Sequence, residues 1–207
     1  MSAVDFKKST HDLIAQDPRF RCLVEEFGYP DYTSNDNYFE ALVKNIIYQQ
    51  LSGKAARTIY FRFMGLFPDG EFPTASTIAG ILPKTLTGVG LSKQKAAYVL
   101  DLSQKVNDGI LNLDTIGALS DDGVCRELIQ VKGIGQWTAN MFLMFSLNRE
   151  NVFPVGDLGV KKGVAVFEGL TALPSEKELL TLSKKWHPYG SIAAWYMWKI
   201  VDGPCEW

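Results

Sequence analysis

The sequence contains few of the residues that build disulfide frameworks or metal sites. Its 207 residues include three cysteines and two histidines. Cys22, Cys125 and Cys205 are odd in number and far apart, so they fit reduced thiols in a cytosol or nucleus better than disulfide bonds. Their spacing matches no zinc or iron–sulfur motif. We therefore expect an intracellular protein, in the cytoplasm of a prokaryote or the nucleus of a eukaryote.

Long apolar runs and an excess of positive charge are also missing. No run of about 18 consecutive apolar residues occurs, so we expect neither a membrane span nor a membrane partner. Lysine and arginine number 21 against 23 aspartates and glutamates, which gives a net charge of −2. Proteins that bind nucleic acid by neutralising phosphates are usually basic. If this chain binds DNA, it needs a local basic patch or an anchor made of backbone amides.

Alternating β patterns are absent as well, and the apolar residues recur at helical spacing almost throughout. Two segments, 137–147 and 192–201, are apolar on nearly all sides and are expected at the centre of the fold. Ser120 is a predicted helix N-cap, and Ser175 with Glu178 forms a predicted capping box.

These patterns predict an all-α fold with two helical lobes and a cleft between the lobes. We expect a middle lobe over residues 36–113. The second lobe would be discontinuous, combining residues 1–35 with 114–207, and the two lobes together would form one functional module.

A Gly-rich turn between two predicted helices is the most informative motif. Gly133 and Gly135 flank Ile134 in the segment Val131–Ala139, where glycines permit a positive φ and a close backbone approach. The helix that follows starts with N–H groups lacking intrahelical partners, which suits a phosphate. Lys132 would add one charge. A plain helix C-cap and tight turn has the same spacing, so both interpretations stay open.

A single carboxylate follows about twenty residues later. Asp157 comes after Phe153-Pro154-Val155-Gly156 and before an apolar helical pattern. On its own it fits an N-cap, but that role is compatible with catalysis. One reaction that a single carboxylate can support is the removal of a base from deoxyribose. That reaction needs one anion near C1′ to stabilise an oxocarbenium-like centre and guide a water. When the leaving base is already cationic, one carboxylate suffices.

Aromatic residues and a polar helix end suggest the remaining parts of such a site. A base must leave the DNA stack before chemistry, and aromatic faces can then hold it. Trp137 and Trp198 are the candidates for this pocket, whereas core packing is expected for at least two of the aromatic residues in this region. Gln50, placed by periodicity on an apolar helix face, fits either a loop that fills the gap in the DNA or an ordinary helix end.

Together these segments resemble the helix-hairpin-helix DNA glycosylase superfamily, most of all its 3-methyladenine DNA glycosylase II (alkylpurine) branch. The resemblance runs from about Tyr38 to Trp198. It is carried by Ile47–Ala56, Gly90–Lys95, Lys132–Asn140, Phe153–Asp157 and Ala193–Trp198.

The resemblance implies a role for each matched segment. Asp157 would be the catalytic acid. The DNA contacts would come from Gln50, Ser52, Lys132, Gly133, Ile134, Gly135 and Thr138. The carbonyls of Ile129, Val131 and Ile134 would hold a structural Na⁺ or K⁺. No other cofactor is expected, because the cysteines that bind an iron–sulfur cluster in the endonuclease III branch are missing.

Some residues depart from the family pattern. Trp137 stands where bifunctional members carry a nucleophilic lysine, which implies a monofunctional enzyme without lyase activity. Met141 and Leu158, expected to line the base pocket with Trp137 and Trp198, replace tyrosines of the bacterial type. Gly190 replaces the arginine of a Pro-Trp-Arg-Ser motif, so a structural or DNA contact is expected to be weaker.

We therefore expect a monomeric hydrolase of base excision repair that flips out alkylated purines such as 3-methyladenine from double-stranded DNA. Two alternatives stay open. The protein would be a glycosylase for deaminated, oxidised or mismatched bases, or a helix-hairpin-helix DNA-binding module without catalysis. Tolerance of the loss of Asp157 would favour the second alternative, and substrate competition would identify the first.

Overall fold

The computed structural model describes residues 5–32, 34, 36–67 and 70–203, so Cys205 lies outside the described residues. Over these ranges the chain forms helices and turns, which confirms the predicted all-α fold. In chain order the α-helices are α1 (Phe6–Gln16), α2 (Phe20–Phe27), α3 (Tyr38–Tyr48), α4 (Gly53–Met64), α5 (Ala75–Ala79), α6 (Pro83–Gly88), α7 (Lys93–Asn107), α8 (Asp121–Ile129), α9 (Gln136–Phe145), α10 (Leu158–Phe167), α11 (Glu176–Leu182) and α12 (Gly190–Asp202). Short 3-10 helices span Ile116–Ala118 and Ser183–Trp186. None of the described helices has both the length and the apolar character needed to cross a bilayer.

Backbone proximity divides the chain into two compact units, Asn35–Phe142 and Met1–Ser34 with Leu143–Trp207. The sequence predicted the second boundary at 113/114, whereas this division places it inside α9. The difference arises because the turn after α8 bonds to the middle unit. The Lys132 N–H donates to Asp101 Oδ2 at 2.9 Å, and the Gly133 carbonyl accepts from Gln49 Nε2 at 2.9 Å.

The middle unit, Asn35–Phe142, is organised around α7. This helix begins at the N-cap Ser92, whose side chain accepts from the Lys95 N–H, and it packs against α3, α5 and α6. Ser120 caps α8 as predicted. The buried apolar side chains of α3 and α7 are Leu42, Val43, Ile46 and Ile47 from α3 and Ala96, Val99 and Leu102 from α7. Because it contacts several helices of its unit, α7 is placed to fix the loops that adjoin them.

The other unit is organised around α12. Residues 190–198 of this helix are all buried, which confirms the prediction of a central apolar helix. Aromatic rings surround it: Phe20 lies 5.7 Å from both Trp186 and Tyr196 between ring centroids. The predicted capping box of Ser175 and Glu178 is present at the start of α11. α12 is therefore a rigid support for any side chain that it directs toward a functional group.

Candidate functional site

The Gly-rich turn between α8 and α9 requires glycine at Gly133. Its φ is +83°, and a Cβ built there would lie 2.0 Å from Tyr98 Cδ2. A non-glycine residue would therefore face both backbone strain and a clash with the ring. Val131 and Ile134 are buried beside it. The predicted Gly-rich turn between two helices is thus present. Its apolar residues Val131 and Ile134 are buried, and its second glycine, Gly135, lies on the surface.

Gly135 differs from Gly133 because it faces open space. A Cβ built at Gly135 would meet no atom within 4 Å, and the residue is exposed directly before the first turn of α9. The positive end of the α9 dipole lies here, together with the N–H groups of its first turn. This geometry leaves room for an anion to approach the backbone, as a phosphate would.

Lys132 reaches solvent but is not an isolated positive charge. Its side chain is 74% exposed, and its Nζ lies 3.6 Å from Asp101 Oδ1. Asp101 also accepts a 2.6 Å bond from Lys105 Nζ. Burial would raise the pKa of Asp101, but the hydrogen bonds from Lys105 and from the Lys132 N–H outweigh it and hold that pKa below its usual value. The carboxylate therefore stays charged and ties the turn to α7.

The loop between α3 and α4 corrects one prediction. Helical periodicity placed Gln50 on the apolar face of a helix, but α3 ends at Tyr48 and Gln50 is exposed in a left-handed conformation, with φ at 56°. Its polar side chain is explained by this exposed turn. Ser52 is the N-cap of α4 and accepts from the Ala55 N–H at 3.5 Å, so it lies in the same loop.

Gln49, to which the sequence assigned no role, connects this loop to the turn between α8 and α9. Its Nε2 donates to the Gly133 carbonyl at 2.9 Å and to Thr138 Oγ1 at 3.4 Å. Thr138, predicted to contact DNA, is buried and takes part in this internal bond. The two glutamines differ because α3 ends at Tyr48, a helix end that the periodicity of the sequence did not indicate.

Asp157 is the N-cap of α10, and its carboxylate is held by two N–H donors. Asp157 Oδ1 accepts from the Val160 N–H at 2.8 Å and from Trp198 Nε1 at 2.8 Å. The positive end of the α10 dipole favours negative charge at this position. Asp157 therefore acts as the predicted helix cap, and its carboxylate is oriented by Trp198 as well.

Two glycines of α10 allow Trp198 to reach Asp157. A Cβ on Gly163 would lie 2.1 Å from the Met197 carbonyl oxygen, so α10 and α12 approach each other at backbone distance. A Cβ on Gly159 would lie 2.8 Å from Trp198 Cδ1 and 3.1 Å from Asp157 Oδ1. Sequence reasoning missed both glycines, although their spacing of four residues on one helix face was visible.

The predicted pocket residues divide between the two units. Trp198 is buried beside Asp157, and Leu158 follows that carboxylate directly with 56% exposure. Trp137 and Met141 lie one turn apart on α9 in the middle unit, the first 45% exposed and the second buried. Trp195 and Tyr196 are also buried, in agreement with the expectation that at least two aromatic residues of this region pack in the core. The use of all four pocket residues by one base stays a prediction.

The Gly190 departure has a local explanation. A Cβ on Gly190 would lie 3.2 Å from Asn151 Oδ1, so the start of α12 packs closely on the segment leading to Asp157. Next to it, Ser191 Oγ donates to the Arg149 carbonyl at 2.5 Å and accepts from the Val152 N–H at 2.9 Å. The start of α12 is therefore connected to residues 149–152 by the close approach at Gly190 and by the hydrogen bonds of Ser191.

Comparison with known proteins identifies a family and several relatives that this chain resembles. Residues 43–188 match the model of the HhH-GPD superfamily of base excision DNA repair proteins. The chain is 32% identical to YfjP of Bacillus subtilis (strain 168), covering 87% of this chain and 64% of that protein, so it spans just under two thirds of that relative. It is 33% identical to DNA-3-methyladenine glycosylase 1 of Schizosaccharomyces pombe, covering 78% of this chain and 71% of that protein.

A solved structure has the same fold. The 3-methyladenine DNA glycosylase Mag1 of S. pombe, in complex with abasic DNA, superposes with a TM-score of 0.80 at 30% identity. The match covers 93% of this chain and 95% of that one.

Proposed function

This chain belongs to the HhH-GPD superfamily of base excision DNA repair proteins, and we propose that it is a monofunctional DNA glycosylase for alkylated purines such as 3-methyladenine. The observation that carries the proposal is the carboxylate of Asp157, fixed at the start of α10 by Trp198 Nε1 and the Val160 N–H. The names of the relatives support the same substrate class.

The proposed reaction is hydrolysis of the N-glycosidic bond. As the bond between C1′ and the purine nitrogen breaks, its electron pair leaves with the base, and an alkylated cationic purine departs neutral. The positive charge that develops on the sugar is stabilised by the Asp157 carboxylate. A water then bonds to C1′ and releases a proton, which leaves an abasic sugar in an unbroken strand.

The absence of lyase activity follows from Trp137 within this proposal. An indole cannot form the Schiff base with C1′ that precedes strand cleavage, whereas a lysine amine can. Trp137 occupies the first turn of α9, where the resemblance places that lysine in bifunctional members. Strands should therefore stay intact until alkali cleaves the abasic site.

The DNA anchor of this proposal is the turn between α8 and α9. The exposed backbone at Gly135 and the first turn of α9 would bind a phosphate through N–H groups, which suits a chain of net charge −2. We propose that the protein is a monomer and that its partner is double-stranded DNA with a damaged base. An intracellular location follows from that substrate.

We also propose a monovalent cation at this turn. The carbonyl oxygens of Ile129, Val131 and Ile134 would be its protein ligands, since backbone carbonyls can replace the hydration shell of a monovalent cation. The Val131 carbonyl already accepts from the Ile134 N–H at 3.1 Å, which uses one of its two lone pairs. A bound cation would stabilise the turn and add positive charge near a phosphate.

The test is base release by the wild-type protein from duplexes carrying single lesions. We expect release of 3-methyladenine or 7-methylguanine, with strands that break only after alkali. Release of deaminated or oxidised bases in place of alkylated purines would move the assignment to another glycosylase class. Tight duplex binding with no release of any base would support a binding module instead.

A further inference from the structure

The segment Gly90–Lys95 matches the family, yet the proposed function gives it no task. Lys95 lies in the first turn of α7, and its ammonium donates two 2.7 Å hydrogen bonds, to the carbonyls of Ile47 and Gln49. Burial lowers the pKa of Lys95. A partly buried ammonium is stable only with good acceptors, and these two carbonyls at the end of α3 supply them.

The same stretch of chain is joined to the turn between α8 and α9. The Gln49 carbonyl is held by Lys95, and the Gln49 side chain donates to the Gly133 carbonyl at 2.9 Å. The exposed residue Gln50, in its left-handed conformation, follows directly. Lys95 therefore fixes the backbone of the loop that carries Gln50. The side chain of Gln49 connects the same loop to the turn between α8 and α9, which is the proposed phosphate-binding turn.

Successive turns of α7 hold the other side of this connection. The Tyr98 ring lies against Gly133, leaving no room for a Cβ, and Asp101 accepts from the Lys132 N–H at 2.9 Å. Lys95, Tyr98 and Asp101 follow at intervals of three residues along the helix. One helix thus positions both the loop before α4 and the turn before α9.

We propose that Lys95 is a positioning residue that keeps the Gln49–Ser52 loop in register with the phosphate-binding turn, so that the loop can occupy the gap left by a flipped base. This inference rests on the proposed glycosylase function, because its first test measures base release from DNA. Errors of about 1 Å in such placement can lower a rate about 100-fold. The effect should be confined to duplex DNA, because a single strand presents no gap to fill.

The test compares single-turnover base release from a duplex and from a single strand that carry the same alkylated purine. Lys95→Met removes both hydrogen bonds, and Lys95→Arg restores a cationic donor. Lys84→Met, at an exposed lysine of α6 in the same unit, removes an equal charge and serves as the control. If Lys95→Met does not fold, Gln49→Ala cuts the connection to Gly133 and is measured in its place.

We expect Lys95→Met to slow release from the duplex about 10- to 100-fold. Release from the single strand should fall less than about threefold, by the same reasoning on placement. Lys95→Arg should recover most of the duplex rate, and Lys84→Met should resemble the wild type. An equal loss on both substrates, or no loss on the duplex, would overturn the positioning role.

Hydrogen exchange in the free protein tests the connection without any catalysis. Lys95→Met should accelerate amide exchange about tenfold or more both at residues 49–52 and at 132–135, whereas Lys84→Met should change neither. Acceleration confined to residues 49–52 would show that the two segments are not coupled, and would overturn the proposal. A wild type that releases no base would instead contradict the glycosylase function, while the exchange result would still decide the coupling.

Discussion

Asp157 and Trp198 form the residue pair on which the proposed chemistry depends most. The indole N–H donates a 2.8 Å bond to the carboxylate, and a hydrogen bond to a charged group contributes about 1.5–3 kcal/mol. Trp198→Phe keeps an aromatic ring but loses this donor. We therefore expect base release to slow about tenfold or more, measured under single-turnover conditions.

Trp195→Phe is the matched control for this change. Trp195 is buried to the same extent on the same helix, α12. Its substitution should lower thermal stability about as much as Trp198→Phe and leave the rate nearly unchanged. Equal rate losses in both variants would show that the Trp198 effect reflects packing alone.

At the scale of single residues, the sequence predicted some roles and missed others. Asp157 was predicted as a helix cap and candidate acid, because proline, glycine and aspartate before an apolar helix form a local pattern. Gln49 and Lys95 were not predicted, because their bonds to Gly133, Ile47 and the Gln49 carbonyl join residues far apart in the chain. Single-sequence periodicity carries no information about such bonds.

At the scale of helices, the contact between α10 and α12 depends on Gly163. An alanine in a helix interior usually stabilises relative to glycine by about 1 kcal/mol. Here its Cβ would lie 2.1 Å from the Met197 carbonyl oxygen, so Gly163→Ala should destabilise by about 1–3 kcal/mol. For a chain of this length that corresponds to a lower Tm by about 2–4 °C for each kcal/mol.

Gly88→Ala provides the comparison in a thermal unfolding series. Gly88 ends α6, and a Cβ there would meet nothing within 4 Å. We expect the Tm of Gly88→Ala to stay within about one or two degrees of the wild-type value, because surface substitutions usually change stability by less than about 0.5 kcal/mol. A Gly163→Ala protein as stable as Gly88→Ala would contradict the close approach of α10 and α12.

The turn between α8 and α9 contains Gly133, which the packing requires, and Gly135, which we propose binds a phosphate. Gly135→Leu should leave the Tm nearly unchanged, because a Cβ at that position meets no atom within 4 Å. Its side chain would instead obstruct an anion at the start of α9. We expect duplex affinity, measured by fluorescence anisotropy, to fall about tenfold, as for loss of one charge-assisted hydrogen bond.

Retained affinity in Gly135→Leu would mean that the phosphate binds elsewhere. Gly133→Leu should behave in the opposite way and lose stability first, since Tyr98 and the φ of +83° leave no room for a side chain. The two variants therefore test the structural and the binding interpretation of one motif separately.

Helix ends were predictable where their side chains cap the backbone within a few residues. Ser120 and the pair Ser175–Glu178 cap α8 and α11 as predicted, because these bonds are local in sequence. The end of α3 at Tyr48 was not predictable in the same way. There the carbonyls of Ile47 and Gln49 bond to Lys95 from another helix, which no local pattern encodes.

At the scale of the whole molecule, charge bears on how DNA is bound. Each neutralised phosphate contributes a slope of about −0.9 to a plot of log K against log salt concentration. A chain of net charge −2 that anchors phosphate through backbone amides should show a total slope of about −3 or shallower. A slope steeper than about −6 in a salt titration would require a basic surface and contradict the amide anchor.

The all-α class was predictable for the whole chain, whereas the division into units was predictable only in part. Apolar periodicity indicated helices throughout, and the buried α12 matches the predicted central segment. The second boundary falls inside α9 and not at 113/114. Bonds from Asp101 and Gln49 attach the turn to the middle unit, and such tertiary contacts are not encoded in composition or spacing.

The most direct test of the central claim is base release from methylated duplex DNA by the wild type and by Asp157→Asn, with binding to an abasic duplex measured on the same preparations. Asparagine keeps an oxygen that can accept from Trp198 and Val160, so the fold should persist. We predict that the variant binds the abasic duplex but releases 3-methyladenine or 7-methylguanine at least about 100-fold more slowly. Turnover near the wild-type rate would contradict the assignment of Asp157 as the catalytic carboxylate.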